Sequence, residues 1–121
     1  MATFRYLVSD VGQAVEFYTS HLGFALVRQF GPAMAILEQD GLQLWLAGPP
    51  ASALEAMPDG SKPAPGGWNR MVHTTTDLAA LVDKLKAADV TFRNDILSGP
   101  GGQQILCEDP SGNPIELFQP A

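Results

Sequence analysis

The chain has 121 residues, with seven Lys+Arg against thirteen Asp+Glu and a net charge of −6. That length corresponds to one domain able to bury its own core without a disulfide or metal staple. An acidic chain without a basic cluster is a poor partner for nucleic acid or an anionic membrane surface. The single cysteine, Cys107, excludes an internal disulfide framework and fits a reducing compartment. There is no basic-then-apolar leader over 1–10, and no apolar run approaches the ~20 residues a spanning helix needs. The expectation is a single cytoplasmic domain acting on small molecules or on other proteins.

In chain order, TFRYLV (3–8) is short, aromatic and β-branched, which predicts a strand. Asp10 is a good helix N-cap, and Val11, Ala14, Val15, Tyr18 and Leu22 recur at helical spacing. Gly23 ends that helix as a residue free to turn left-handed. FALVRQF (24–30) predicts a strand, Gly31-Pro32 a turn, and 33–38 another strand. Asp40-Gly41 is a hairpin signal between apolar runs, and 41–47 alternates as a strand.

The segment from Gly48 to Gly67 changes character. It holds five of the ten prolines and four glycines, which predicts a long linker with at most a helical turn over 51–57. Beyond it the first pattern returns. Residues 69–76 predict a strand, and Asp77 caps a helix with Leu78, Leu81, Val82 and Leu85 on one face. Strands follow over 90–97, 103–108 and 114–119, separated by the glycine-rich SGPGG (98–102) and the DPSGN turn (109–113). SGPGG carries neither a GKS/T signature nor a following helix, so it is read as a hairpin turn and not a phosphate loop.

Placing Asp10 on Asp77 superimposes the two helical stripes, Val11 on Leu78 and Tyr18 on Leu85. The chain is therefore an internal repeat of a βαβββ unit. The fold class is α+β. Module one covers about 2–48, the linker about 49–67, and module two about 68–120.

Two stretches, VSDVGQAVEFYTSHLGF (8–24) and EDPSGNPIELFQP (108–120), resemble the vicinal oxygen chelate superfamily. That superfamily includes glyoxalases, bleomycin-resistance proteins, fosfomycin-resistance enzymes and extradiol dioxygenases. The resemblance extends over about 3–120 and implies two βαβββ modules whose curved mixed sheets enclose a groove. It also implies a homodimer. In metal-dependent members two ligands come from each module: one on the first strand, seven residues before the capping Asp, and one on the last strand. Carried over residue by residue, those positions are Thr3, Gln43, Arg70 and Glu116.

Only Glu116 is a normal ligand of that family. Thr3 and Gln43 are neutral, and Arg70 is a permanent cation without an acceptor atom. The expectation is a groove without metal or other cofactor, in which Arg70 and Glu116 meet as an ion pair. His73 is expected to face the helix layer, His21 to sit at a helix C-terminus, and Cys107 to be a small buried hydrophobe.

Strand alternation then sorts the faces. If Thr3 faces the groove, so do Arg5 and Leu7, with Phe4, Tyr6 and Val8 behind. If Gln43 does, so do Trp45 and Ala47, with Leu42, Leu44 and Leu46 in the core. Glu116 brings Phe118 with it, and Ile115 and Leu117 lie behind. Trp68, in the loop PAPGGW (63–68), is placed to cover a mouth of the groove. The candidate ligand-binding set is Arg5, Gln43, Trp45, Trp68, Arg70, Glu116 and Phe118. Aromatic rings with a few convergent polar groups suit a flat organic ligand.

The leading reading is a small-molecule binder of the bleomycin-resistance type, conferring resistance by sequestration. The alternatives are a metal-independent enzyme using Arg70 and Glu116 as electrophile and acid/base, a metal-dependent lyase or dioxygenase, and an accessory domain acting through protein contacts.

Overall fold

A computed structural model describes all of residues 1–121. The elements run β1 (Ala2–Leu7), α1 (Val11–Leu22), β2 (Ala25–Phe30), β3 (Met34–Gln39), β4 (Leu42–Ala47), a 3-10 turn (Ser52–Leu54), β5 (Val72–Thr74), α2 (Leu78–Ala87), β6 (Leu97–Gly99), β7 (Gly102–Glu108) and β8 (Pro114–Pro120). They form two four-stranded mixed sheets, ordered β1-β4-β3-β2 and β5-β8-β7-β6. In each the first strand runs parallel to the last. The repeat read from the sequence is thus a repeat of topology. The chain divides into two compact units, 1–66 with 110–113, and 67–109 with 114–121.

In the first unit, Asp10 accepts the Gln13 amide at 2.8 Å and caps α1. Gly23, at φ 75°, closes the helix where a side chain would be strained. The buried stripe is Val11, Ala14, Phe17, Tyr18 and Leu22. Phe17 replaces the expected Val15, which is half-buried. Its ring meets Tyr18 edge-on, and Tyr18 stacks with Tyr6 from β1. Asp40 and Gly41 both take positive φ in the two-residue turn joining β3 to β4. Leu37, Leu44, Leu46 and Val8 are fully buried behind the sheet.

In the second unit, Asp77 caps α2 through the Ala80 amide at 3.1 Å. Leu78, Val82 and Leu85 are buried, and Leu81 is half-buried. They cover the side of the sheet that buries Ile105, Cys107, Ile115 and Leu117.

Two strand expectations need correction. The strand expected over 69–76 is only Val72–Thr74, so Arg70 lies just ahead of β5 and not in it. The Glu116 amide still reaches the Met71 carbonyl at 3.1 Å, which holds the approach to the strand in place. The strand expected over 90–97 does not form. Arg93 N donates to Leu106 O, Glu108 N donates to Thr91 O, and a lone bridge joins Phe92 to Cys107. Just beyond those contacts the Asn94 side chain takes the Leu106 amide at 2.9 Å, in place of a backbone carbonyl. A ladder resumes only at Leu97–Gly99.

Asn113, 2% exposed, is the polar pin of the first unit. Its amide nitrogen donates to Leu7 O at 2.7 Å, and its oxygen accepts from Gly66 N at 2.8 Å. This ties the DPSGN turn to β1 and to the end of the long loop.

Candidate functional site

Each sheet turns one face to a helix and the other away from it. On the first sheet, cross-strand register assigns the open face. Thr3 pairs with Gln43 and Arg5 with Trp45, while Glu38 and Ile36 of β3 sit beside Gln43 and Trp45. The expected set Arg5, Gln43 and Trp45 is therefore brought together. Ala47, expected on this face, is buried, because its registered neighbours Leu7 and Met34 flank a side chain that is a single methyl.

A chain of contacts fixes the indole of Trp45. Its Nε1–H donates to Gln43 Oε1 at 3.1 Å, and Gln43 Nε2 donates to Glu38 Oε1 at 3.1 Å. The Arg5 guanidinium lies 5.2 Å from the ring centroid, within cation–π range. With its N–H engaged, Trp45 has only ring surface left to offer a ligand. Glu38 was missed in the sequence, although the Asp40-Gly41 turn already sets it opposite Gln43.

On the second sheet Val72 pairs with Glu116, Thr74 and Gln104 pair with Phe118, and Leu106 pairs with Glu116. Arg70 donates to Glu116 Oε1 through Nε at 3.2 Å and Nη2 at 2.8 Å, and its Nη1 donates to Trp68 O at 3.2 Å. With its amide nitrogen turned toward the carboxylate, Gln104 donates to Glu116 Oε2 at 3.1 Å and Oε1 at 3.2 Å. The expected ion pair is present, and both carboxylate oxygens face donors. Gln104 was missed; it lies one step diagonally across the strand pair from Glu116.

Trp68 is 69% exposed. The Arg93 guanidinium lies 4.7 Å from its ring centroid, donates to Glu108 Oε2 at 2.7 Å and to Gly67 O at 2.7 Å. Nothing in the local sequence of Arg93 announces this. The contact depends on the irregular path of residues 90–96.

The remaining titratable candidates are structural. His73 pairs with the buried Leu117 and so shares the helix-facing side. His21 lies in the last turn of α1, edge-on to Phe17 at 5.3 Å. Burial pushes the Cys107 thiol up to about 12, with Asp109 and Glu108 adding to the shift.

The donor set does not fit a divalent metal. Of Thr3, Gln43, Arg70 and Glu116, the only charged acceptor is Glu116, and it is held by a guanidinium and an amide. Thr3 and Gln43 supply no charge, and Arg70 would repel the ion. No group of three or more His, Cys, Asp or Glu side chains is placed to share a cation. No helix is long and apolar enough to cross a membrane.

The chain belongs to the Glyoxalase/Bleomycin resistance protein/Dioxygenase superfamily, whose family model matches residues 1–117. Among solved structures it is similar to TnmS3, an antibiotic binding protein from Streptomyces sp. CB03234. The two share 28% identity over 100% of this chain and 95% of that one, with a TM-score of 0.74. A superfamily member from Sphaerobacter thermophilus DSM 20745 is also 28% identical, over 98% of this chain and 95% of that one, at a TM-score of 0.77. The fosfomycin resistance protein FosX from Listeria monocytogenes shares the fold alone, at 13% identity and a TM-score of 0.76 over 100% of this chain and 93% of that one. No curated protein sequence matches the chain.

Proposed function

We propose that this protein binds an aromatic small molecule without a metal ion, on the open, helix-free sheet surface that carries its aromatic and polar side chains. The observation that carries the reading is the double hydrogen bond from Arg70 to Glu116. The one carboxylate at a metal-ligand position of this superfamily is occupied by a fixed cation. The Arg70 and Gln104 donors hold that carboxylate in a fixed orientation on the sheet, which suits a polar margin of a binding surface. Trp45 with Arg5 and Gln43, and Trp68 and Phe118 beside the Arg70–Glu116 pair, supply aromatic surface bounded by a few polar groups. Similarity to an antibiotic binding protein supports a natural-product ligand, and sequestration of that ligand would protect a cell from it.

Homodimerisation in the cytoplasm is part of the same reading. The edge strand β2 is exposed along its length, including Leu26, Val27 and Phe30, and such an edge favours a covering partner. Light scattering should give twice the 12.9 kDa chain mass.

The test of function is a tryptophan-fluorescence titration against a panel of aromatic antibiotics and aromatic metabolites, in chelator. At least one compound should quench saturably at micromolar concentration. Turnover of a compound without such binding would favour an enzyme instead.

A further inference from the structure

The first sheet carries a row of side chains in register across all four strands: Arg5 on β1, Trp45 on β4, Ile36 on β3 and Arg28 on β2. Three strand spacings of about 4.8 Å separate the two arginine backbones, about 14 Å in all. The row is an apolar floor with a cation at each end.

The cations at its ends differ from the other two arginines. Arg70 and Arg93 are each ion-paired, to Glu116 and Glu108. Arg5 and Arg28 have no carboxylate within salt-bridge distance. Their contacts are with ring faces, Arg5 on Trp45 at 5.2 Å and Arg28 on Phe30 at 4.7 Å. The one acid in the neighbouring row, Glu38, is engaged by Gln43. In a chain of net charge −6, this face concentrates uncompensated positive charge beside an indole.

A guanidinium presents a planar fork of donors that matches a carboxylate or sulfonate in two parallel hydrogen bonds. Stacked on an indole, it also holds part of its orientation in advance. We infer that the row Arg5–Trp45–Ile36–Arg28 selects a planar aromatic ligand bearing an acidic group, with the ring against Trp45 and the acid on Arg5. This rests on the reading of these faces as a ligand site and adds the ligand's charge to it. A cationic drug is disfavoured at the same surface.

The test uses 2-naphthoate and its neutral isostere 2-naphthamide as probes, titrated by calorimetry into the intact protein. The wild type should prefer the carboxylate by at least tenfold. In Arg5→Gln that preference should fall to about one, and Arg5→Lys should restore part of it. Raising salt should weaken naphthoate and leave the naphthamide isotherm in place. Equal affinity for both probes in the wild type, or a preference that survives Arg5→Gln, overturns the inference. In that case binding of both probes that is lost in Trp45→Ala leaves the ligand-site reading standing. Absence of binding by either probe at millimolar concentration also overturns the inference, and the antibiotic panel then decides the broader reading on its own.

Discussion

Arg70 and Glu116 lie 46 residues apart, yet the guanidinium donates twice to one carboxylate oxygen, at 3.2 and 2.8 Å. The pair is only partly open to water, with side chains 31% and 14% exposed. Removing the cation alone leaves a desolvated carboxylate with Gln104 as its remaining donor. Arg70→Ala should therefore cost about 1–3 kcal/mol in urea unfolding. The double variant Arg70→Met, Glu116→Gln should cost less, since no buried charge is left behind. A double variant less stable than the single would show that the pair itself contributes the stability.

Trp45→Ala should weaken binding of any compound found in the panel by at least tenfold, because a half-buried aromatic anchor carries ~2 kcal/mol or more. Its ring points away from α1, so circular dichroism should show the fold retained. Failure to fold would place Trp45 in the core and not in the site.

Asn113 should be as intolerant as an apolar core residue. Its two hydrogen bonds to Leu7 and Gly66 are made out of reach of water. Asn113→Ala should cost about 2–3 kcal/mol. Asn113→Asp should cost at least as much, since it sets an acceptor against the Leu7 carbonyl. A chemical melt of both variants checks this.

Cys107 is fully buried, and its thiol is raised from 9.0 to about 12, mainly by burial. Thiol reagents at pH 8 should label it only after unfolding. The sign of the pH effect follows from the raised value. The unfolded thiol ionises first, so its contribution is intact below pH 9.0 and is lost as pH rises toward about 12. Wild type should lose more stability between pH 8 and pH 10.5 than Cys107→Ala, by about 2 kcal/mol. Equal losses would mean that Cys107 ionises freely in the folded state.

Much of this architecture is legible in the sequence because burial enforces alternation. Leu44 and Leu46, or Ile115 and Leu117, point one way, so Gln43, Trp45, Glu116 and Phe118 point the other. The caps Asp10 and Asp77 are legible for the same local reason, each accepting an amide three residues on. What was hidden depends on register or irregular backbone. Gln104 reaches Glu116 across a strand pair, and Arg93 reaches Trp68 from a segment where Asn94 has displaced the ladder. Phe17 lies at the margin of the α1 stripe, where spacing alone favoured Val15. Tertiary aromatic contacts decided between them.

The most direct measurement takes the tightest-binding compound of the panel and determines its affinity in exhaustively chelated protein, then after adding back Zn²⁺, Mn²⁺ or Ni²⁺. The Arg70–Glu116 pair in the place of a metal predicts the same affinity throughout. Affinity lost on chelation, restored by one of these ions and abolished again by Glu116→Gln would contradict it.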